Sequence, residues 1–405
     1  MNDSFLYQAF GVKGYTYKKS AYKDNAIILH LRHKPLRSCQ CPHCQSKEVI
    51  HYGKKYRQIR SLPIGSKPMF FEIDIPRYQC KHCEHVWQAP IPFTHGNVSY
   101  SFRLSRYVIE LLRLGLPIQD VAHHLCMSWG TVKEIHKRYL KQRYAYPDIR
   151  HIRRIGIDEF ATHKGHIYKT IVVDLDTGII VHVGDGKGKE ALEKFWRKVR
   201  KHNVQIEVVT SDMSAAYLSS VMENAPNAIH VYDHFHVVKL MNEAVDNVRR
   251  MVYKQEIEVE KRKLIKGSRW LLLRKDTDKF DDNERNRLQN ILLTNEPLFK
   301  AYYMREDLDT IWQQQNKQEA EKQLEYWWKN AQDSGIPILQ KVANSIYGYR
   351  RGILAWYDCH TSNAKVEGIN NKIKVMKRQA YGYRDDQYFT LRLLGLHDNT
   401  NSNLR

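Results

Sequence analysis

The sequence predicts a multidomain α/β protein, and three stretches of different residue pattern lead to that prediction. From residue 1 to about 93, short β-like runs alternate with Pro and Gly breaks. Within residues 148–245, two runs flank a hairpin turn at 176–178, and strand-like and helix-like segments then alternate. From 246 to 348 the chain is charged, glutamine-rich and helical in pattern. These patterns favour a mixed sheet of the ribonuclease-H type, preceded by a β-rich domain and followed by a helical stretch.

The elements follow from the spacing of apolar residues, which recur every second position in strands and every third or fourth position in helices. Predicted strands in chain order are 26–31, 69–75, 167–174, 179–183, 206–210 and 229–232. Predicted helices are those within 100–144, then 191–199, 215–222, those within 236–349, and an amphipathic helix around Glu367. Residues 156–158 form one more predicted strand.

The chain is strongly basic, with 65 Lys and Arg against 44 Asp and Glu and a formal net charge of +21. The positive electrostatic field of such a chain attracts anionic polymers, so nucleic acid and an anionic membrane surface are the candidate partners. No run approaches the ~18 apolar residues of a membrane-spanning helix. The first thirty residues are polar and tyrosine-rich, without a signal-peptide core. We therefore expect a cytoplasmic protein that acts on nucleic acid and has no membrane partner.

Four of the seven cysteines form two C-x2-C pairs, Cys41 with Cys44 and Cys80 with Cys83. Four thiolates from two such pairs form a closed tetrahedral zinc site, which is structural because no coordination position stays open. The pairs are farther apart than the ~15 to 20 residues of a compact ribbon, so a hairpin must fill the gap. The alternative is four buried, reduced cysteines without metal.

The other three cysteines have no such pairing. Cys39 lies close enough in sequence to substitute for Cys41 as a zinc ligand. Cys126 and Cys359 stand alone, and we expect both in the core, because a single free cysteine usually behaves as a small buried hydrophobe.

Residues 118–135 have the pattern of two short helices that is typical of a helix-turn-helix DNA-binding motif. Ser128 is the predicted N-cap of the second helix. Cys126 occupies the turn, where Gly is common. An ordinary helical hairpin is the alternative, but the charge of the chain favours DNA binding. Residues expected to face outward are Trp129, Thr131, Lys133, His136 and Lys137, and all but His136 are candidate DNA contacts.

Three carboxylates are candidates for a metal site that acts on DNA. Asp158 and Asp212 each end a short apolar strand, and open α/β sheets bind ligands beyond the carboxyl ends of their strands. Glu367 must approach them from its helix. Carboxylates that hold two divalent cations ~4 Å apart suit phosphoryl transfer, and Mg²⁺ suits such ligands. Taken singly, Asp158 is explained as an edge-strand charge, Asp212 as a helix cap, and Glu367 as a solvated surface group.

The helix around Glu367 has two distinct faces. The polar face continues from Glu367 with amides and cations that could hold a DNA backbone, namely Asn370, Asn371, Lys374 and Arg378. The opposite face is an apolar stripe at helical spacing, namely Val366, Ile369, Ile373, Met376 and Ala380. Glu367 therefore shares its face with groups suited to DNA while the other face is buried.

These motifs divide the chain into five predicted segments. In order they are a zinc-ribbon-like DNA-binding domain (1–95), a helix-turn-helix DNA-binding domain (96–147), the first part of the catalytic core (148–245), the helical insertion (246–348), and the final core helix with the C-terminal segment (349–405). A chain of 405 residues is long enough for several domains.

Over essentially its whole length the chain resembles bacterial insertion-sequence transposases of the ISL-three family. The resemblance rests on the two cysteine pairs, the helix-turn-helix, and the stretches GIDEF at 156–160, TSDM at 210–213, YDHFH at 232–236, NAKVEGINNKIK at 363–374 and YGY at 381–383.

The resemblance implies a DDE transposase with a ribonuclease-H fold and a helical insertion before the final glutamate. It assigns catalytic roles to Asp158, Asp212 and Glu367, which would bind two Mg²⁺ or Mn²⁺ ions. One structural Zn²⁺ is also expected. The expected partners are double-stranded DNA, as element terminal repeats and target, and a second copy of the chain on that DNA. Asp233 is treated as a structural group near the site, with metal binding as the alternative.

Two functions of different classes remain in competition, a transposase and a zinc and helix-turn-helix DNA-binding regulator with a non-catalytic α/β domain. The presence of all three carboxylates favours the transposase. A simple nuclease is a third option, but it would not need two DNA-binding domains, the zinc-ribbon-like domain and the helix-turn-helix.

Overall fold

The computed structural model describes residues 2–35, 39–163, 167–274, 280–361 and 363–399. The chain forms two compact units. The first unit contains residues 1–145 and 378–405, and the second unit contains residues 146–377.

The strands are β1 (Tyr15–Lys23), β2 (Ala26–His33), β3 (Val49–Ile64), β4 (Lys67–Cys80), β5 (Val86–Gln88), β6 (Arg154–His163), β7 (Ile167–Asp174), β8 (Ile180–Asp185), β9 (Val208–Ser211) and β10 (Ile229–Tyr232). The helices are α1 (Asp3–Phe10), α2 (Phe102–Arg113), α3 (Ile118–His124), α4 (Trp129–Tyr144), α5 (Glu190–Lys201), α6 (Ala215–Asn224), α7 (His234–Gln255), α8 (Val259–Ile265), α9 (Arg269–Leu273), α10 (Asp282–Thr294), α11 (Glu296–Asp309), α12 (Lys317–Asp333), α13 (Pro337–Gly348), α14 (Arg350–Leu354), α15 (Trp356–Cys359), α16 (Ala364–Gln379) and α17 (Asp386–Leu394). Short 3-10 turns occupy Thr310–Gln313 and Leu396–Asn399.

The sheet of the first unit has the strand order β1-β2-β4-β3, with β5 paired to β4. β3 and β4 form a long antiparallel hairpin whose turn contains Gly65 at a φ of +60°. On β4, Met69, Phe71 and Ile73 are fully buried at alternate positions, as expected for a strand with one face in the core. That face packs against α1.

Helices α2, α3 and α4 form the predicted helix-turn-helix region of the first unit. Val108, Val121 and Val132 are fully buried in its core. The Ser128 side chain accepts a hydrogen bond from the Thr131 backbone N–H at 3.2 Å, so Ser128 is the N-cap of α4, as predicted.

Two residues of this region differ from their predicted settings. Cys126 is exposed, so its predicted place in the core is wrong. Its φ of +48° lies in the left-handed region. Gly adopts this region most easily, which is why Gly is common at such a turn. His136 is buried and shares a 2.8 Å hydrogen bond with Tyr388 of α17, so its predicted outward orientation is also wrong. Cys359, the other cysteine expected in the core, is half-buried.

The sheet of the second unit has the strand order β10-β9-β6-β7-β8. Strand β7 is antiparallel to both of its neighbours, β6 and β8, whereas β9 is parallel to β6 and β10 is parallel to β9. Helix α5 contributes Phe195 and Trp196 to the core on one face of this sheet. The predicted turn at 176–178 joins β7 to β8, and Gly178 has a φ of +76°.

On the same sheet, Gly156 makes room for α16. A Cβ atom at Gly156 would lie 2.5 Å from Cγ2 of Val366, so a larger residue would push the helix away. The predicted apolar stripe of α16 is buried at Val366, Ile369, Ile373 and Met376. Ala380 is exposed, because α16 ends at Gln379.

The strand that contains Asp158 is longer than predicted. β6 continues to His163, because its antiparallel pairing with β7 extends beyond its parallel pairing with β9. Between β10 and α16 the described chain is helical, as predicted, with a separate core that includes Met241, Leu308 and Trp327. Within the part of the chain that the structure describes, no helix has the length and apolar character needed to cross a membrane.

Candidate functional site

Asp158 and Asp212 lie where the central parallel strands of the second unit stop pairing. β6 and β9 pair in parallel as far as Gly156 and Thr210, and each aspartate comes two residues later. Asp212 follows the end of β9. Burial raises the pKa of Asp212, and the negative charges of Asp158 and Asp233 also raise it. The carboxylates are therefore close enough to interact.

Helix α16, the helix that contains Glu367, is anchored at the same strand ends. The Thr210 hydroxyl donates a buried 2.8 Å hydrogen bond to Oδ1 of Asn363, just before the helix. Glu367 comes four residues after Asn363 and three before Asn370, so all three lie on one side of the helix. Glu367 itself is exposed.

Asn370 links this helix directly to Asp158. Its Nδ2 atom donates a 2.6 Å hydrogen bond to Oδ2 of Asp158. The other oxygen of Asp158 accepts from the Glu159 backbone N–H at 2.8 Å. Oδ1 of Asn370 is buried and has no hydrogen-bond partner among the described residues. The sequence predicts Asn370 as a DNA contact, and in the structure its nearest partner is the carboxylate instead.

Half-buried carboxylates gather at this point. Burial raises the pKa of Asp158 to about 6, and it also raises the pKa values of Glu159 and Asp212. Uncompensated negative charge in such a setting is costly. The donor set fits Mg²⁺, which binds one or two carboxylates and keeps other positions for water and phosphate oxygens.

Glu159 is an acidic neighbour that strand periodicity does not predict at the site. Successive strand residues point to opposite faces, so Glu159 is expected away from Asp158. In the structure the Tyr217 hydroxyl donates to Oε2 of Glu159 at 2.9 Å. The charge of Asp212 contributes to the raised pKa of Glu159. The one feature of the sequence that could have suggested Glu159 as a site residue is its position directly after Asp158.

Asp233 and His236 stand beside the carboxylates at the start of α7. Asp233 is the N-cap of this helix and accepts from the Phe235 backbone N–H at 3.2 Å. Nδ1 of His236 lies 2.9 Å from Oδ2 of Asp233. That hydrogen bond raises the pKa of His236, and the charges of Asp158 and Asp212 add to the effect. His236 is therefore a neighbour of the site whose protonated form the surrounding carboxylates favour.

The first unit holds a separate candidate metal site. The Sγ atoms of Cys41, Cys44, Cys80 and Cys83 all lie within 4.8 Å of one another, whereas Cys39 is not in this group. Two of the sulfur–sulfur distances are 3.5 Å, close to the ~3.8 Å of a tetrahedron with Zn–S bonds of ~2.3 Å. The pKa of Cys80 is lowered, chiefly by the Cys83 backbone N–H, whereas that of Cys83 is raised by burial and by the neighbouring thiols.

The predicted DNA contacts on α4 fall into two groups. Trp129 is 48% exposed, and Thr131 is half-buried at the first turn. Nζ of Lys133 and Nζ of Lys137 lie 2.8 and 2.9 Å from the same oxygen of Asp385, and these lysine side chains are only 18% and 21% exposed. Asp385 therefore occupies one of the three N–H donors of each lysine and offsets part of their positive charge. On α16, Asn371, Lys374 and Arg378 are exposed.

Comparison with protein families gives two matches. The model of the ISL3 (ISL-three) DDE domain, described as a transposase, matches residues 155–393. A model described as the zinc-finger of transposase IS204/IS1001/IS1096/IS1165 matches residues 37–83. The second match contains all four clustered cysteines.

Individual relatives are also similar. The transposase for insertion sequence element IS1001 of Bordetella parapertussis is 33% identical over 392 residues, which cover 96% of this chain and 95% of that protein. The transposase for insertion sequence element IS1557 of Mycobacterium tuberculosis is 28% identical over 387 residues, covering 89% of this chain and 86% of that protein. Among solved structures, the Drosophila P element transposase strand transfer complex has a TM-score of 0.37 at 10% identity, covering 74% of this chain and 93% of that chain.

Proposed function

The chain belongs to the ISL3 family of transposases, as its motifs predict, and we propose that it catalyses metal-dependent cleavage and joining of DNA at the ends of an insertion sequence. In this proposal Asp158, Asp212 and Glu367 are the metal-binding catalytic residues. The hydrogen bond from Asn370 to Asp158 is the observation that carries it, because this bond ties the helix of Glu367 to the strand of Asp158.

A ribonuclease-H-like core is part of the proposal. Its support is the strand order β10-β9-β6-β7-β8, in which three antiparallel strands come first in the chain and two parallel strands follow. Helices α5 and α6 provide the crossovers to β9 and β10. Helices α7 to α15 then separate β10 from α16, which agrees with the predicted insertion.

The proposed reaction is a phosphoryl transfer, to which the protein contributes by positioning charged groups around the reacting phosphate. Asp158, Asp212 and Glu367 would hold two Mg²⁺ or Mn²⁺ ions, which when bound supply the charge that activates the attacking oxygen and stabilises the leaving one. In cleavage, a water oxygen bonds to phosphorus and the bond from phosphorus to the 3′-oxygen breaks, which leaves a 3′-hydroxyl. In joining, the oxygen of this hydroxyl bonds to a target phosphorus. The bond from that phosphorus to the target 3′-oxygen breaks, which releases a 3′-hydroxyl on the target strand. Asn370 keeps Asp158 oriented throughout.

DNA recognition is assigned to the first unit and to the exposed cations of α16. The four-cysteine site would hold one structural Zn²⁺, and α4 would contact the terminal repeats. Lys374 and Arg378 are exposed on the polar face of α16 and are suited to hold backbone phosphates. Two element ends must meet before joining, so we propose at least a dimer on DNA.

The test is cleavage of a labelled element-end duplex in the presence of Mg²⁺. Wild-type protein should cut it and leave a 3′-hydroxyl, and Asp212→Asn should abolish cutting. Asp176→Asn, in the β7–β8 turn, is the matched control and should cut normally. Wild-type protein that binds the duplex but never cuts it would favour the regulator instead.

A further inference from the structure

A cavity with aromatic walls lies in the second unit beside the proposed catalytic residues. Its volume is about 130 Å³, roughly ten times the ~10–15 Å³ that accommodates one water molecule. The indole side chains of Trp312 and Trp356 form part of its wall. The cavity therefore has room for about ten non-hydrogen atoms, which is the size of a nucleobase.

The cavity shares its lining with the elements that position the carboxylates. Thr210 lines it from β9, two residues before Asp212, and Asn363 lines it one helical turn before Glu367. Asp233 also lines it, and Asp233 is near enough to Asp212 to raise the pKa of that carboxyl. A group bound in the cavity would thus be a direct neighbour of the proposed metal site.

The cavity wall is accessible from solvent. His234, at its edge, has a side chain that is 42% exposed, and its ring centroid lies 4.0 Å from that of Trp312. Trp312 and Trp356 are themselves only partly buried. Partly exposed aromatic side chains beside a proposed cation site, in a protein of net charge +21, suit a ligand that has both an aromatic ring and a phosphate.

We propose that this cavity receives one unstacked nucleobase from the DNA strand next to the scissile phosphate, an inference that rests on the proposed function. Base stacking on an aromatic side chain tolerates any sequence, because every base has a π-face. The Thr210 hydroxyl and the Asn363 amide, joined at 2.8 Å, offer polar atoms to the base edge. Capture of the base would fix the adjacent phosphate against Asp158 and Asp212.

The test is a double-mutant cycle between the protein and the DNA, read out as the rate of Mg²⁺-dependent cleavage. The protein change is Trp312→Ala, and Trp356→Ala is a second variant of the same wall. The DNA change is an abasic site, placed in turn at each nucleotide that flanks the cut. Trp270→Ala is the control, because Trp270 is 73% exposed and is not part of the cavity lining. Trp312→Phe keeps a stacking ring, and thermal unfolding of every variant reports on its folding.

We expect Trp312→Ala to slow cleavage of intact DNA at least tenfold, and Trp312→Phe to restore most of the rate. At one flanking position the abasic site should slow the wild type by a similar factor and should not slow Trp312→Ala further. Trp270→Ala should match the wild type on every duplex.

A second readout uses 2-aminopurine at the same position, with Asp212→Asn as background so that the DNA stays uncut. Replacing Trp312 by Ala should raise the 2-aminopurine fluorescence at least twofold, because the stacked quencher is lost.

The inference is overturned if the rate losses from Trp312→Ala and from the abasic site multiply at every position, or if Trp312→Ala cleaves as fast as Trp270→Ala. If Trp312→Ala does not fold, the Trp356→Ala cycle decides in the same way. Failure of the wild type to cut intact DNA would overturn the proposed function itself.

Discussion

At the scale of single residues, Asp158 is a carboxylate whose setting differs clearly from that of a solvated side chain. Burial raises its pKa from 3.8 to about 6, although Asn370 and the Glu159 backbone donate hydrogen bonds to its two oxygens. Since one pKa unit is ~1.4 kcal/mol, this rise corresponds to at most about 3 kcal/mol lost from the stability of the metal-free protein at neutral pH. A bound cation would remove that cost.

The first prediction is that Asp158→Asn stabilises the metal-free protein while it abolishes cleavage. A group with a raised folded pKa destabilises the fold once it ionises, so the advantage of the amide should be full above about pH 6 and should vanish below about pH 4. Thermal unfolding at several pH values in a chelator measures it. Asp282→Asn is the control, because Asp282 is 95% exposed, and it should give no such gain. A lower unfolding temperature for Asp158→Asn at pH 7 would contradict this account of the site.

The second prediction separates Asn370 from its neighbour Asn371, which is exposed on the same helix. Asn370→Ala should lower the cleavage rate about 10- to 100-fold and raise the Mg²⁺ concentration needed, because Asp158 loses the group that orients it. Asn371→Ala should leave the Mg²⁺ requirement unchanged. Cleavage rates measured across a Mg²⁺ titration distinguish the two residues. Equal Mg²⁺ profiles for both variants would show that Asn370 does not act through Asp158.

At the scale of elements, Lys133 and Lys137 of α4 are held by Asp385, which also caps α17. Burial alone would raise the pKa of Asp385, but hydrogen bonds from Lys133, from the Tyr388 backbone and from Lys137 keep it below its usual value. The ion pair is only partly exposed, so both lysines are held in place rather than free in solvent. The sequence alone could not show this, because the aspartate is 248 residues from Lys137.

The third prediction therefore concerns these lysines and their carboxylate together. Lys133→Ala with Lys137→Ala should weaken element-end binding and lower the salt slope by about two units if both reach phosphate. Asp385→Asn should tighten binding at low salt, because it frees the lysines yet still caps α17. Gel-shift titrations at several salt concentrations measure both effects. If the double lysine variant binds as tightly as the wild type, α4 is not the recognition helix.

Sequence periodicity predicts local elements well here and predicts tertiary partners poorly. The strand predicted at 229–232 is observed with those bounds, and the buried stripe of α16 is the predicted one apart from Ala380. The inward orientation of His136 was not predictable, because it depends on Tyr388, 252 residues away. In the same way, the three carboxylates could be proposed from strand ends and helical spacing. The places of Glu159 and His236 depend on how α6 and α7 pack.

At the scale of the whole molecule, the two units have separate cores and separate candidate metal sites. The fourth prediction is that removing zinc, by a chelator or by Cys80→Ser, unfolds the β-sheet of the first unit and spares that of the second. Such sites supply much of the folding free energy of their domain. Hydrogen exchange should lose protection at β3 and β4 and keep it at β6 and β9. Cys359→Ser, outside the four-cysteine group, is the matched control. Absence of zinc from purified folded protein would contradict the assignment.

The fifth prediction concerns the division of labour between the units. Glu367→Gln should abolish cleavage and leave element-end binding intact or slightly tighter, because the variant removes a negative charge near the phosphate but no contact with the duplex. The lysine variants of α4 should do the opposite, losing affinity while any bound complex still cuts. The two outcomes are separated by gel shifts run beside single-turnover cleavage at saturating protein. Gln at 367 keeps the length and polarity of the exposed side chain, so the fold should not change. If Glu367→Gln destroyed binding as completely as cleavage in a folded protein, Glu367 would be a DNA contact. The catalytic site would then need a different third ligand, for which Glu159 is the candidate because the charge of Asp212 acts on it.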